Sequence, residues 1–240
     1  SEKTPVDKEV TLEIPNAKLC TPDTPFLYDL DIYLCQENCM HRDRTRGYFG
    51  LRTFSKGMVD GHPAFLLYGM PIFMYGPLDQ GWWPDGLLTP PSYEAMIYDL
   101  QTIKALGMNM VRKHIKVEND LWYEWCDRNG LIVWQDMPSG SEGGSIGSKQ
   151  EIQRNFYNEC EHIVNALKQH PCIGVWVPYN EGWGQDADAG AGHTTRGYLV
   201  VRNADSDMGR LMNAASGWTD FGFGDITDAH SYPSPNGASN

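Results

Sequence analysis

The stretch MNMVRKHIKVENDLWYEWCDRNGLIVWQDMP, residues 108–138, contains two apolar segments separated by a polar segment of helical composition. Residues 108–115 and 131–138 have the apolar character of strands that are buried on both faces. Between them, Asn119 is a favourable first residue and Gly130 a favourable last residue for a helix. The stretch therefore predicts two parallel strands joined by a helical crossover.

The same alternation continues on both sides of this unit. One predicted helix begins at Ser92 and ends at Gly107, and another begins with a capping box at Ser148 and Glu151 and stops before Pro171. A fourth helix is expected within residues 186–210, although the glycines there are unfavourable. Residues predicted to face inward on the three clearer helices are Met96, Leu100, Ile103, Leu106, Leu121, Trp125, Cys126, Ile152, Phe156, Ile163 and Leu167.

Further strands are predicted at residues 64–76, 172–181, 210–216 and 225–232. Alternating strands and helices with short connections predict an α/β fold with a parallel sheet. A doubly wound sheet and a (β/α)₈ barrel both satisfy the pattern. We expect the TIM-type barrel in incomplete form, because six strands can be assigned.

The first sixty residues have a different pattern from the rest of the chain. Residues 10–19, 27–34 and 48–54 alternate apolar with polar side chains, as half-exposed strands do. They predict part of a β-sandwich. We therefore predict two domains, with a partial sandwich at residues 1–58 and the barrel at residues 59–240.

The formal net charge of −12 argues against a nucleic-acid partner and against docking on an anionic membrane. No run of about 18 apolar residues predicts a membrane span. Of the six cysteines, Cys35 and Cys39 are close in sequence without a second pair that would make a zinc site, while Cys126, Cys160 and Cys172 are predicted to be buried. On helix three, Glu159 and His162 are more typical of a solvated face than of a metal site. We expect no metal or cofactor.

Polar or aromatic side chains follow almost every predicted strand at its carboxyl end, where barrel active sites form. They are Arg112, His114, Gln135, Asp136, Asn180, Glu181, Trp183, Asn213, Ser216, Trp218, Asp228, His230 and Tyr232. A carboxylate among aromatic residues suits glycoside hydrolysis, in which one carboxylic acid protonates the leaving oxygen and a second carboxylate assists. We expect apolar contacts from Trp176 and Trp183 to raise the pKa of Glu181.

Two segments resemble a known family. GVWVPYNEGWG, residues 174–184, resembles the Asn-Glu segment of strand four in retaining barrel glycosidases. Residues 107–138 resemble strands two and three of glycoside hydrolase family 2, the β-galactosidase, β-glucuronidase and β-mannosidase group. Segments 18–34 and 48–54 resemble the end of the immunoglobulin-like domain that precedes the barrel in that family, while NAASGWTD and DAHSYP resemble its strands five and six.

The resemblance implies a retaining β-glycosidase that acts on an oligo- or polysaccharide. It implies that Glu181 is the general acid/base and that Asn180 binds the hydroxyl next to the reacting carbon. It also implies that Arg112 lies beside the nucleophile. The residues expected to line the sugar pocket are Asp136, Trp218, His230 and Tyr232, together with His114 and Trp183.

In the family, the nucleophile is a glutamate on strand seven, whereas this sequence reaches strand six. Four alternatives follow: another carboxylate of this chain, a carbohydrate-binding protein without turnover, a truncated fragment that lacks the nucleophile, or a second copy that completes the barrel. The candidate carboxylates are Asp136, Asp225 and Asp228. The sequence leaves the sugar open among galactose, glucuronic acid and mannose, and the resemblance favours the periplasm or the exterior as the compartment.

Overall fold

The computed structural model describes residues 3–35, 41–140, 150–185 and 192–232. Four helices lie in these ranges: α1 Tyr93–Ala105, α2 Asp120–Asn129, α3 Gln150–Leu167 and α4 Gly192–Ala204. The strands of these ranges are β1 Tyr28–Cys35, β2 His41–Phe49, β3 Phe54–Val59, β4 His62–Leu67, β5 Met70–Ile72, β6 Leu78–Asp79, β7 Met110–Lys113, β8 Ile132–Asp136, β9 Ile173–Val177, β10 Tyr179–Asn180, β11 Leu211–Met212 and β12 Ala215–Ser216. No helix within the described part of the chain has the length and apolar character to cross a membrane.

Five strands of the described ranges form one parallel sheet in the order β6-β7-β8-β9-β11. The helices α1, α2 and α3 each connect two neighbouring strands of this sheet, and α4 connects β10 to β11. Neighbouring strands are thus consecutive in the chain and joined by helical crossovers, which is the connectivity of an α/β barrel rather than of a doubly wound sheet. The predicted unit at residues 108–138 is confirmed as β7-α2-β8.

The helix boundaries follow the capping residues of the sequence. Asn119 accepts a hydrogen bond from the backbone N–H of Trp122, and Gly130 ends α2 in the left-handed conformation with φ of 69°. Ser92 caps α1 by accepting from the N–H of Ala95. The predicted fourth helix is confirmed as α4, while the capping box at Ser148 lies outside the described residues.

Most of the predicted inward side chains are buried or half-buried, but three predictions are wrong. Leu106, Leu121 and Ile152 are 67%, 52% and 41% exposed. Leu121 and Ile152 lie in the first turn of their helices, and Leu106 is the C-cap of α1. On α2, Trp122 and Tyr123 are buried together with Cys126. The predicted burial of Cys160 and Cys172 is also confirmed.

Gly197 explains how α4 tolerates its glycine-rich composition. A Cβ atom at this position would collide with the hydroxyl of Tyr179, so the missing side chain lets α4 approach the sheet closely. Val201, one turn further along, is fully buried in the same interface. Tertiary packing therefore stabilises a helix that its local sequence favours weakly.

Gly197→Ala is expected to lower the free energy of unfolding by about 1–3 kcal/mol through overpacking. This loss should exceed the gain of at most about 1 kcal/mol that alanine brings to a helix. Urea denaturation of both proteins measures the difference. Gly47→Ala is the control, because a Cβ there would meet no atom within 4 Å. A variant as stable as the parent would contradict the proposed close packing.

The apolar run at residues 64–76 does not form one strand buried on both faces, so this prediction is wrong. It contributes β4 and β5, which pair with β3 in an antiparallel sheet. The chain reverses at Tyr68 and Gly69, whose φ angles are 54° and 75°. The first barrel strand is instead the short β6. Apolar composition alone does not distinguish a single buried strand from two strands that share one packed face.

The parallel sheet is buried on both faces. On one face, Val111, Val133 and Ile173 pack against the helices. On the other face, Ile132, Trp134, Val175, Val177 and Leu211 pack against Phe54 and Leu67 of the three-stranded sheet. This double burial explains why β8 and β9 are continuous apolar runs rather than alternating ones.

The N-terminal prediction is confirmed in part. The strand predicted at residues 27–34 is confirmed as β1, which pairs antiparallel with β2. Residues 10–19 contain no strand, and residues 48–54 are divided between the end of β2 and the start of β3, so these two predictions are wrong. Alternating side chains do not form a strand without a partner to complete its hydrogen bonds. The domain boundary after residue 58 stays a prediction. It falls within β3, which pairs with β4 over its full length.

A buried set of ion pairs lies under the loop that follows β6. Lys113 Nζ lies 2.9 Å from Asp79 Oδ2 and 2.6 Å from Glu118 Oε1, which also binds Lys116 Nζ at 2.6 Å. The side chains of Lys113 and Glu118 are only 1% and 5% exposed. Gly81 covers this cluster, since a Cβ there would approach Lys113, Lys116 and Glu118 to 2.7 Å.

Residues 225–232 do not form the predicted sixth strand. The segment crosses the carboxyl ends of the neighbouring strands instead, held by the Asp225 N–H to Met212 O at 2.7 Å and by Ser216 Oγ to Asp228 Oδ2 at 2.9 Å. This path brings His230 and Tyr232 over the end of β10.

Candidate active site

Glu181 occupies the end of the fourth barrel strand. Pro178 interrupts that strand, which continues as β10 and pairs in parallel with β12. The N–H of Glu181 donates to Ser216 O at 2.5 Å, and its backbone adopts a left-handed conformation with φ of 52°. A non-glycine residue in this region carries strain, which is typically found at functional positions.

Three aromatic or imidazole side chains bind the Glu181 carboxylate. Tyr232 donates its hydroxyl to Oε1 at 2.7 Å, and His230 Nδ1 lies 2.8 Å from the same oxygen. The indole Nε1 of Trp183 donates to Oε2 at 3.3 Å. Both oxygens of the carboxylate are therefore held in place.

These contacts reverse the expected pKa shift of Glu181. Burial raises its pKa, but hydrogen bonds from His230, Tyr232 and Trp183 outweigh burial and leave the pKa below the ordinary value of a glutamate. The predicted raised pKa is therefore wrong. Trp183 presents its N–H rather than its apolar face to the carboxylate, and Trp176 is fully buried within β9.

Arg112, on β7, is hydrogen-bonded to side chains at the ends of β8 and β10, next to Glu181. Its Nε and Nη2 bind the two oxygens of Asp136 at 2.9 and 2.8 Å, which is a bidentate ion pair. Nη2 also donates to Asn180 Oδ1 at 2.7 Å, and Nη1 lies 3.3 Å from His230 Nε2. The side chain of Arg112 is 10% exposed and that of Asp136 is fully buried.

The remaining predicted residues lie close to this network. His114, directly after β7, lies near Asn180, and burial lowers the pKa of its imidazole. Trp218 is 58% exposed and meets Trp183 edge-to-face, with ring centroids 5.6 Å apart. The residues expected to line the sugar pocket thus lie at one end of the barrel, although their roles stay predictions. Gln135 instead binds the Tyr123 hydroxyl of α2.

Ser139 and Gly217 were not among the predicted site residues. Ser139 Oγ accepts from the N–H of Asn180 at 3.3 Å and is fully buried. Gly217, with φ of 76°, packs against the His230 ring, because a Cβ there would meet Cγ at 2.5 Å. A serine or a glycine at these positions does not by itself indicate catalysis or substrate binding, so no signal in the sequence pointed to either residue.

The three candidate nucleophiles are all bound by other protein groups. Asp136 has both oxygens on Arg112 and no exposed surface. Asp225 binds Arg202 at 2.5 Å and accepts from the Met212 N–H at 3.0 Å. Asp228 accepts from Ser216 and, at 2.5 Å, from the Gly217 N–H. Asp136 in particular has no face open to a substrate.

Within the described ranges, no group of three or more His, Cys, Asp or Glu side chains is arranged to hold a metal ion. Glu159 and His162 both lie exposed on α3. Cys39 is outside the described residues, so its relation to Cys35 stays untested.

Comparison of the sequence with known protein families agrees with the barrel fold and with the location of the candidate site. The family model for the TIM barrel domain of glycosyl hydrolases family 2 matches residues 91–227, more than half of the chain. The chain belongs to glycoside hydrolase family 2. The resemblance drawn from residues 107–138 and 174–184 is thereby confirmed, as is the α/β barrel fold.

Curated relatives support this membership in family 2. A β-mannosidase B of Aspergillus flavus is 27% identical over 198 residues, covering 76% of this chain and 22% of that protein. A β-galactosidase of Priestia megaterium is 30% identical over 102 residues, covering 38% of this chain and 10% of that protein. The chain thus spans about a fifth of the length of such relatives, or less.

A solved structure supports the fold. The β-glucuronidase of Bifidobacterium dentium, complexed with coumarin-3-O-glucuronide, has a TM-score of 0.73 to this chain at 20% identity. The match covers 86% of this chain and 33% of that one. At this identity the likeness concerns the fold alone, in which Glu181 ends the fourth strand of a family 2 barrel.

Proposed function

We propose that this chain is a β-glycosidase of the retaining type that cleaves an oligo- or polysaccharide with Glu181 as its general acid/base. The observation that supports this most is the position of Glu181, which ends barrel strand four with its carboxylate held by three donors. In the first step Glu181 protonates the glycosidic oxygen as the bond to the sugar breaks. In the second step it takes a proton from the attacking water.

Asn180 is assigned to a sugar hydroxyl. Arg112 binds its Oδ1 at 2.7 Å. Asp136 in turn fixes the Arg112 guanidinium through two hydrogen bonds. The amide is therefore oriented before substrate binds, which lowers the entropic cost of placing the sugar.

Trp183 and Trp218 are assigned to the sugar that leaves. They form an aromatic corner beside Glu181, and Trp218 is largely exposed. An exposed aromatic face binds the apolar face of a pyranose ring. Because Trp183 also binds Glu181, a leaving group on this corner would lie next to the acid.

Non-catalytic carbohydrate binding is the second candidate function. It is favoured by the contacts that occupy Asp136, Asp225 and Asp228, since a glycosidase needs a second available carboxylate. A second copy of the chain that contributes the nucleophile is the remaining alternative.

The test is turnover of aryl β-glucuronides, β-galactosides, β-mannosides and β-galacturonides by the purified chain. We expect cleavage of at least one of them. Binding of the free sugars, followed by tryptophan fluorescence and calorimetry, without any cleavage would overturn the enzymatic proposal in favour of carbohydrate binding. Activity that increases with the square of protein concentration, together with a dimeric solution mass, would indicate a shared site.

The same assay identifies the nucleophile. Asp136→Asn and Asp228→Asn are each compared with the parent after folding is verified by circular dichroism. Full turnover in both variants would exclude Asp136 and Asp228 as the nucleophile. A variant that binds sugar normally but loses all turnover would assign the nucleophile to that position.

A further inference from the structure

The aromatic corner assigned to the leaving sugar is built from two separate loops. Trp183 lies in the loop after β10, residues 181–185, and Trp218 lies in the loop after β12, residues 217–219. The two rings meet at an interplanar angle of 70°. If the loops moved independently, a bound sugar would have to order them and would lose affinity. A working corner therefore needs a group that fixes one loop against the other.

Both loops leave their strands through left-handed backbone. Glu181 and Gly182 have φ angles of 52° and 78°. Gly217 and Trp218 have φ angles of 76° and 26°. Such backbone at a non-glycine residue is strained, and it persists where the surrounding contacts over-determine it. Contacts between the two loops therefore have to hold the aromatic corner.

Gln185 makes such contacts with both polar atoms of its side-chain amide. Nε2 donates to Thr219 O at 2.8 Å, and Oε1 accepts from Thr194 Oγ1 at 2.7 Å. Thr219 follows Trp218 directly, and Thr194 lies fully buried in the first turn of α4. A backbone carbonyl only accepts, so the amide has a single orientation. It connects the loop after β10 with α4 and with the loop after β12.

Backbone contacts place Gln185 beside both loops. Its N–H donates to Gly182 O at 3.1 Å, and the N–H of Trp183 donates to Asn180 O at 2.7 Å. Gly182 lies against Thr219, since a Cβ there would meet Thr219 Cβ at 2.9 Å. The same Cβ would also approach Gln185 Nε2 to 2.9 Å. The two loops are therefore in direct contact, and the Gln185 amide lies at that contact.

We propose that Gln185 is a positioning residue that holds Trp183 and Trp218 together as one surface for the leaving sugar. This inference rests on the proposed function for its effect on hydrolysis, whereas the connection between the loops does not depend on turnover. Gln185 acts through the two indoles and not on the reacting atoms. Without its amide, the loop after β12 loses its hydrogen bond to the loop after β10, and the sugar has to order the corner.

Circular dichroism tests the arrangement of the indoles without a substrate. Two indoles in contact couple their electronic transitions, and Trp218→Phe identifies the resulting couplet by its loss. Gln185→Met retains the length of the side chain but loses both hydrogen bonds, so we expect it to lose most of the couplet. Gln101→Met on the exposed surface of α1 is the matched control, and it should retain the couplet in full.

Kinetics on paired substrates separate a positioning role from a general loss of stability. The pair shares the sugar that the aryl glycoside panel identifies and differs in the leaving group, as lactose and methyl β-galactoside do for galactose. We expect kcat/KM of Gln185→Met to fall roughly 3- to 10-fold for the disaccharide, the range of one lost hydrogen bond. The methyl glycoside should keep the parent value, because methanol does not occupy the aromatic corner.

Thr194→Val tests the same connection if Gln185→Met does not fold. It removes the donor that orients the Gln185 amide with little change in side-chain shape, and we expect a partial loss of the couplet. An unchanged couplet in the folded variants would overturn the proposal, as would equal losses on the disaccharide and the methyl glycoside. Loss of the couplet in a chain that cleaves no glycoside would retain the connection between the loops and reject the proposed function.

Discussion

Glu181→Gln is expected to reduce turnover of β-glycosides with poor leaving groups roughly 10²–10⁴-fold, the usual contribution of a general acid or base. Glutamine retains the shape of the side chain, and its single oxygen can accept from either Tyr232 or Trp183, but it cannot transfer a proton to the glycosidic oxygen. Initial rates on an alkyl and a dinitrophenyl β-glycoside of the same sugar measure the effect. Bond breaking in the dinitrophenyl glycoside should be affected least, because its leaving group needs no proton.

The matched control is Glu159→Gln, which makes the same chemical change at an exposed position of α3. It should preserve both rates. An equal loss on the two glycosides in Glu181→Gln would show impaired sugar binding rather than a lost proton donor. Unchanged rates on both would remove Glu181 from the mechanism.

Glu118→Gln is expected to lower the free energy of unfolding by about 3–5 kcal/mol, since it leaves buried charges without their partner. Glu118 Oε1 lies 2.6 Å from both Lys113 Nζ and Lys116 Nζ, and Asp79 is the other carboxylate in contact with Lys113. A neutral amide does not compensate two ammonium groups away from water. Urea denaturation followed by tryptophan fluorescence measures the loss.

Glu124→Gln is the control for this variant, because Glu124 pairs with Arg128 at 2.8 Å on the exposed surface of α2. An exposed pair at this spacing contributes only about 0.3–0.5 kcal/mol. Similar losses in the two variants would contradict the proposed importance of the buried cluster.

Local sequence patterns were sufficient to predict the alternating strands and helices of the barrel. The apolar runs of β7 and β8 and the capping residues Asn119 and Gly130 lie within one short stretch of chain, so their pattern predicts the unit directly. Because parallel strands in a barrel end on one side, the same reasoning predicts that Arg112, Asp136 and Glu181 lie together.

Predictions failed where a segment depended on distant partners. Residues 10–19 have the alternation of a strand without a strand to pair with, and residues 64–76 divide at Tyr68 and Gly69 because both halves pack against the inner face of the barrel. Residues 225–232 have strand-like composition but are drawn across the strand ends by contacts of Asp225 and Asp228.

The family, the parallel barrel and the strand ends from which the site is built follow from the amino-acid sequence, because periodicity, capping and the family's motifs are encoded locally. The electrostatics of Glu181 follow instead from the folded structure. Its pKa depends on His230 and Tyr232, which lie 49 and 51 positions away in the chain. A proton's free energy depends on distances and hydrogen-bond directions through space, and these exist only once the chain has folded.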